Sequence, residues 1–191
     1  MHSVAVIVGS LRRDSVNRTF ARALGKLAAG TLDFRMTEIG DLPLYNEDLW
    51  ADPPTGVLRM KREVEAADAV LFVTPEYNRF FTPAIKNAID WGTRPWGKNS
   101  WDAKPAAIVG TSPGAIGTAA AQLSLKSQLV VCGMVVMGQP EVYFTWKPDA
   151  FDADANVTDA ATRAFLEKFV TRFAGWIAHT TEKKAGTQAN A

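Results

Sequence analysis

An apolar run, Val4-Ala5-Val6-Ile7-Val8, is closed by Gly9 and followed a few residues later by an amphipathic segment that begins near Ser15. A strand with one face in water alternates polar and apolar residues. This run has no polar position, so it predicts a strand buried on both faces, as in a parallel sheet covered by helices. Gly9 breaks the strand, and Ser10-Leu11-Arg12-Arg13-Asp14-Ser15-Val16-Asn17-Arg18 carries the chain into a helix. The linking loop offers hydroxyls at Ser10 and Ser15, an amide at Asn17, guanidinium groups at Arg12, Arg13 and Arg18, and the N–H groups of a helix N-terminus, a set suited to phosphate. It is not a P-loop, because no second Gly followed by Lys and Ser/Thr is present, and it lacks the spaced glycines of a dinucleotide fingerprint. Two readings remain open: a Ser/Asn/Arg-lined monophosphate site, or a Ser15 that only caps its helix beside solvated arginines.

The chain has 191 residues, 47% of them hydrophobic, enough for one sizeable domain with a core. A formal net charge of +1 carries no overall footprint of nucleic-acid binding. Charge is nonetheless concentrated near the loop, where Arg12, Arg13, Arg18, Arg22 and Lys26 face only Asp14; Arg22 and Lys26 read as an ordinary helix surface. The single cysteine, Cys132, sits in the apolar run Leu129-Val130-Val131-Cys132 and reads as a small buried hydrophobe. His2 and His179 lie near the ends without metal-ligand spacing, so no metal site is expected. No apolar run reaches ~18 residues and the start lacks a signal-peptide pattern, which predicts a soluble cytoplasmic protein with neither membrane nor nucleic-acid partner.

Taken in order, residues 15–29 place Val16, Phe20, Ala23, Leu24 and Leu27 on one helical face, and Gly30 stops the helix. Residues 33–39 alternate like an edge strand. Residues 41–50, rich in Pro, Asp and aromatics, either close over a ligand or pack on the sheet edge. After Pro53-Pro54, residues 55–67 predict a helix with a charged outer face of Arg59, Lys61, Arg62, Glu63 and Glu65. Residues 68–74 read as a central strand running into Thr74-Pro75-Glu76-Tyr77-Asn78. Thr82 then caps a helix with Pro83 at its first position. A loop with Trp96 and Trp101 leads to a strand over 104–109, a Gly/Ser/Pro turn over 110–117, a helix from Thr118 to about Cys132 and a strand over 134–137. An acidic connection over 147–158 precedes a helix over 160–178 with Phe165, Phe169, Phe173, Trp176 and Ile177 inward. One domain is expected over 1–180, with an unstructured tail over 181–191.

This alternation of strand and helix predicts a doubly wound, five-stranded parallel α/β sheet, in which ligands bind beyond the C-terminal ends of the strands. The irregular motifs after strands 1, 3 and 4 all fall at that edge, which argues for one composite site. A phosphate loop, an aromatic-plus-amide loop and a Gly/Ser loop suit a mononucleotide with a flat ring. An isoalloxazine would take backbone N–H and C=O groups from Glu76-Tyr77-Asn78 and Ser112-Pro113-Gly114. The plainer alternative for Tyr77 and Asn78, turn formation and core-edge packing, is the less favoured one given the motifs around them.

The segments Gly9-Ser10-Leu11-Arg12-Arg13-Asp14-Ser15-Val16-Asn17, Leu42-Pro43-Leu44-Tyr45-Asn46, Pro75-Glu76-Tyr77-Asn78 and Lys86-Asn87-Ala88-Ile89-Asp90-Trp91 resemble the flavodoxin-like NADPH-dependent FMN reductase family, which includes chromate/quinone reductases and azo-dye reductases. The resemblance covers residues 3–180 and implies strand order 2-1-3-4-5 with helices on both faces. It implies FMN, its phosphate held by Ser10, Arg12, Ser15 and Asn17 with backbone help from Val16. The ring would be cradled by Pro75, Glu76, Tyr77 and Asn78, with Ser112 and Gly114 on the opposite loop. It further implies a homodimer or homotetramer with Gln122, Lys126 and Glu141 at polar interfacial positions. Lys126 stands where Arg is more usual and gives up the bidentate fork. Arg79-Phe80-Phe81 also departs from the smaller segment of relatives, which implies either a narrower acceptor pocket or an Arg79 turned to the phosphates of NADPH. Arg13 and Arg79 are either contacts for the NADPH 2′-phosphate or plain exposed arginines.

The activity so implied is ping-pong oxidoreduction. NADPH or NADH passes hydride to FMN N5 and leaves, then a small-molecule acceptor (a quinone, chromate, an azo compound or free flavin) takes the electrons in the same place. No catalytic side chain is expected, because the cofactor carries the chemistry. The alternatives are a flavodoxin-type electron carrier, which is usually far more acidic than this chain, a flavin reductase supplying a partner monooxygenase, and a nucleotide-binding sensor.

Overall fold

The computed structural model describes residues 1–188. Its first strand, β1 (His2–Val8), is buried from Val4 onward and pairs in parallel with β2 (Leu32–Thr37) on one side and β3 (Ala69–Val73) on the other. β4 (Pro105–Ser112) lies beyond β3, and the order is β2-β1-β3-β4-β5. Helices α1 (Val16–Leu27) and α5 (Ala160–Gln188) cover one face, while α2 (Thr55–Ala66), α3 (Pro83–Gly92) and α4 (Ala119–Val131) cover the other. Along β1, Val4, Val6 and Val8 meet Phe20, Leu24, Phe169 and Phe173, whereas Ala5 and Ile7 meet Met60, Ile85 and Ile89. Both faces of the interior strands therefore need apolar residues, which is why their sequence shows no alternation. β2 lies at the edge as expected, but its burial does not alternate: the adjacent Arg35 and Met36 are both exposed, so this edge strand is open on both faces there.

The fifth position of the sheet differs from the expectation. β5 is only Val135–Val136, paired to Pro105–Ala106, and a further strand, β6 (Val142–Thr145), continues the edge alongside Val109–Ser112. Residues 110–112, read as a turn, are strand for that reason: β6 gives them a parallel partner. Gly138 and Pro140 punctuate the run in sequence and conceal that Val142-Tyr143-Phe144-Thr145 is a strand in its own right.

Three further readings are corrected. Lys61 does not lie on the outer face of α2; it is buried, and its ammonium donates to the Gly92 carbonyl at 3.1 Å and the Lys98 carbonyl at 2.8 Å, closing the C-terminal end of α3. Burial pushes its pKa down. On α5, Phe165 is 39% exposed, and Leu166 takes its place in the core with Phe169, Phe173 and Ile177. The helix also runs on through Thr181 to Gln188, where a tail was expected; the last residues of that tail lie outside the described part of the chain.

Residues 41–50 pack against α3. The Asn87 amide and the Trp91 indole both donate to the Pro43 carbonyl at 2.8 Å, the Tyr45 N–H donates to Asn87 Oδ1 at 2.8 Å, and the Tyr45 ring meets Trp91 edge-on. Two of the motifs that carry the family resemblance are thus structural partners of each other. Trp101 is buried against Gly92, where a Cβ would fall 2.3 Å from the indole, while Trp96 is 86% exposed. Cys132 is buried and its thiol pKa pushed up by that burial. Among the described residues no helix is long and apolar enough to cross a membrane.

Candidate functional site

The loops after β1, β3 and β4 meet at the C-terminal edge of the sheet. The first leaves β1 through Gly9, whose N–H donates to the Val73 carbonyl at 2.9 Å. A Cβ there would fall 2.6 Å from both Ile85 Cδ1 and Thr82 Oγ1, so glycine is required by the approach of α3. Ser10 is buried, and residues 11–14, with Arg12 and Arg13, are exposed. Ser15 caps α1: its hydroxyl oxygen accepts the Arg18 N–H at 3.2 Å, which leaves the hydroxyl proton to donate outward. Capping and anion binding are therefore compatible. Among the described residues, no backbone N–H of residues 10–17 donates to a protein acceptor. This stretch leads into the positive end of α1, whose first turn holds no acidic residue. Arg18 turns away, to Glu38 at 3.7 Å.

Asn17 is also turned inward. Its Nδ2 donates to the Thr111 carbonyl at 2.9 Å, and its Oδ1 accepts the Thr111 N–H at 3.0 Å.

After β3, Pro75 is buried and the Glu76 side chain is only 8% exposed. The Glu76 carboxylate accepts the Ala121 N–H of α4 at 3.1 Å and pairs with the Arg79 guanidinium at 3.0 Å. Tyr77 and Phe80 close a tight turn through reciprocal N–H···O bonds of 2.9 and 3.0 Å, with Asn78 at φ 51° and Arg79 at φ 67°. Positive φ at both central positions is the geometry of a type I′ hairpin turn. Asn suits the first of them; Arg at the second carries strain of about 1 kcal/mol. The Tyr77 and Phe80 rings stand half-exposed at the rim, Phe80 stacked on the buried Phe81 at 4.5 Å.

After β4, Ser112 Oγ donates to the Gly114 carbonyl at 3.4 Å, and Thr145 Oγ1 reaches the same carbonyl at 3.3 Å. The N–H groups of Gly114, Ala115 and Ile116 donate to no protein acceptor among the described residues. Gly117 takes φ 54° against the β6 backbone, where a Cβ would lie 2.5 Å from the Tyr143 carbonyl carbon.

The structure thus brings Ser10, Arg12, Ser15, Val16 and Asn17 into one loop, Pro75, Glu76, Tyr77 and Asn78 into a second, and Ser112 and Gly114 into a third, all at one edge. It commits the polar ends of Asn17 and Glu76 to other parts of the chain. Sequence reasoning missed Thr111, whose buried hydroxyl has no partner, and Gly110, whose Cβ would sit 2.2 Å from the Thr74 carbonyl. Of the interfacial candidates, Lys126 and Glu141 form an ion pair at 2.6 Å, but Gln122 is 1% exposed and ties α4 to the Val142 carbonyl inside the chain. A second copy cannot touch it.

These residues fit FMN. The unengaged N–H run, the Ser10 and Ser15 hydroxyls and Arg12 suit a phosphate, the orphaned Thr111 hydroxyl marks incomplete polar pairing beneath the site, and the two other loops offer free N–H groups and rim aromatics to a flat ring.

The comparisons with known proteins agree. The family model described as NADPH-dependent FMN reductase matches residues 2–148. A quinone reductase of Pseudomonas putida is 49% identical over 178 residues, 93% of this chain and 95% of its own length. A 2-hydroxy-1,4-benzoquinone reductase of a Burkholderia species is 45% identical, covering 91% of this chain and 95% of its own. The solved structure of FerB, a flavoenzyme NAD(P)H:(acceptor) oxidoreductase from Paracoccus denitrificans, superposes with a TM-score of 0.93 at 54% identity, over 94% of this chain and 99% of that one. Flavodoxin 1 of Bacillus cereus, at 12% identity and TM-score 0.58 over 91% and 97% of the two chains, shares the fold alone.

Proposed function

This chain belongs to the NADPH-dependent FMN reductase family, and we propose that it works as an FMN-dependent NAD(P)H:quinone oxidoreductase. The observation that carries the reading is the meeting of an unengaged N–H run at the α1 N-terminus with two loops that present free N–H groups and the Tyr77 and Phe80 rings. Bound FMN would supply the two-electron chemistry that links NAD(P)H to the acceptor. The chain's part is to bind and orient: the loop after β1 holds the phosphate, and the loops after β3 and β4 hold the ring edge. The half-exposed Tyr77 and Phe80 rings would line the entrance that reductant and acceptor use in turn in a ping-pong cycle. Arg13 and Arg79, exposed cations on these loops, would be the groups to meet the phosphates of the dinucleotide, Arg79 after giving up its pair with Glu76. No side chain of these loops is assigned an acid or base role, since Glu76 is committed to Ala121 and Arg79.

A rim of this kind also admits chromate, azo compounds and free flavin as acceptors. Support for a homo-oligomer comes from the family resemblance and from the exposed Leu123, Val130 and Val131 along α4. The test is a visible spectrum of the purified protein with added FMN, then anaerobic NADPH and a quinone. Bound flavin that bleaches and recovers supports the reading. Bound flavin that NADPH leaves oxidised points to a carrier or sensor, and absence of flavin binding defeats it.

A further inference from the structure

Thr111 is the point at which β4 outruns β3. The Thr74 N–H makes the last ladder bond, to the Val109 carbonyl at 2.9 Å, and the next residue, Pro75, has no N–H and leads the chain away. N–H and C=O groups of alternate residues in a strand face the same neighbour, so those of Thr111, like those of Val109, face the side that β3 has vacated. Those of Ser112 face β6, where the Trp146 N–H donates to the Ser112 carbonyl at 2.8 Å. Both peptide groups of Thr111 would be buried without partners, an arrangement that folded proteins avoid. Asn17 fills the vacancy, its amide serving as a one-residue strand, at 2% exposure against 0% for Thr111.

The placement of Asn17 gives this bond its consequence. It lies in the first turn of α1, at the end of the unengaged N–H run, and it grips β4 one residue before the loop of Ser112 and Gly114. We propose that Asn17 is a positioning residue that locks the phosphate-binding turn to the ring-binding loop, so that the two halves of the flavin site hold one fixed separation. The inference rests on the FMN reading. It assigns Asn17 a role different from direct phosphate contact, because its oxygen and one N–H are already spent on Thr111.

The test separates the two roles with a pair of ligands, FMN and riboflavin, which lacks the phosphate. Asn17→Ala is titrated with both in equilibrium fluorescence, and amide exchange is followed in the absence of flavin. A positioning role predicts that both affinities fall by comparable factors, about tenfold or more, and that exchange rises at Thr111 and through residues 112–117 while β1 and β3 stay protected. Loss of FMN affinity with riboflavin binding unchanged would make Asn17 a phosphate ligand and overturn the proposal. A lowered melting temperature with both affinities unchanged would make it a brace of the fold alone and also overturn it. If Asn17→Ala does not fold, Asn17→Asp keeps an acceptor for the Thr111 N–H. Uncharged riboflavin then reports without interference from the new carboxylate: an intermediate loss is expected, and no loss overturns the proposal. Wild-type protein that binds neither flavin defeats the FMN reading itself, a result distinct from all of these.

Discussion

The Glu76 carboxylate, on the loop after β3, accepts the backbone N–H of Ala121 in the first turn of α4 at 3.1 Å. α4 has no cap of its own, because Thr118 sits at φ 71° and makes no side-chain capping bond. Glu76 thus does from another loop what an N-cap residue does locally, and its charge suits the positive end of the helix. Together with Asn17 on Thr111, it pins the β4 loop at both ends, to the loop after β1 at one and the loop after β3 at the other.

Replacing Glu76 tests that cap. Glu76→Ala removes the acceptor for Ala121 and the partner of Arg79, and should cost about 1–2 kcal/mol in urea unfolding of the flavin-free protein. Glu76→Gln keeps an acceptor and loses only the charge, so its cost should be less than half as large. Equal losses for the two would show that the ion pair with Arg79, not the cap, is what matters.

Arg79 offers a substitution whose effects on stability and function should oppose each other. At φ 67° a glycine is relaxed where arginine is strained, so Arg79→Gly should recover roughly 0.5–1 kcal/mol of turn strain, offset by the lost pair with Glu76. If the guanidinium reads the 2′-phosphate, the same variant raises KM for NADPH about tenfold and leaves KM for NADH unchanged. Arg13→Ala should act in the same direction. An unchanged NADPH/NADH ratio in both variants would remove these arginines from dinucleotide recognition.

Gly110→Ala should be severe for a reason unrelated to backbone freedom. Its new Cβ would lie 2.2 Å from the Thr74 carbonyl and 2.4 Å from Thr118 Oγ1. The first of these is backbone one residue beyond β3, tied to β4 by the Thr74 N–H bond to the Val109 carbonyl, and it cannot move aside without breaking that bond. Overpacking of this kind costs about 1–3 kcal/mol or more, visible as a lowered melting temperature and weakened flavin binding together.

What was legible in the sequence followed from solvent contrast and from local chemistry. β1 and β3 are buried on both faces and read as unbroken apolar runs, and Thr82-Pro83 announces α3 by cap and fixed φ. The break after β1 was legible from Gly9, and the start of α1 from Ser15, which caps it. What stayed hidden depends on partners distant in sequence: the strand state of residues 110–112 needs β6, the burial of Lys61 needs the carbonyls of Gly92 and Lys98, and the inward turn of Asn17 needs β3 to stop opposite Val109, two residues short of Thr111. An amide side chain looks the same in sequence whether it meets a ligand or a peptide group. Phe165 and Leu166 are adjacent and both apolar, and only the tilt of α5 on the sheet decides that Leu166 is the one inside.

The last prediction concerns pH and the contact between α4 and β6. Glu141 Oε1 accepts from Lys126 Nζ and from the Tyr143 hydroxyl, each at 2.6 Å, and both bonds hold the Glu141 carboxyl below its ordinary range. Burial and the neighbouring carboxylate push the Tyr143 hydroxyl well above its usual value, so it stays a donor. A carboxyl whose pKa is lower folded than unfolded stabilises the fold above the unfolded pKa, about 4.3 for glutamate, and loses that contribution as pH falls through the folded value. Glu141→Gln should therefore be less stable than the wild type at pH 7, and the gap should narrow as urea unfolding is repeated from about pH 5 down to about pH 3. Tyr143→Phe should shrink the same gap without abolishing it, since Lys126 remains. A difference between wild type and Glu141→Gln that does not vary over this range would mean that packing between α4 and β6, and not the ionised carboxylate, supplies the stability.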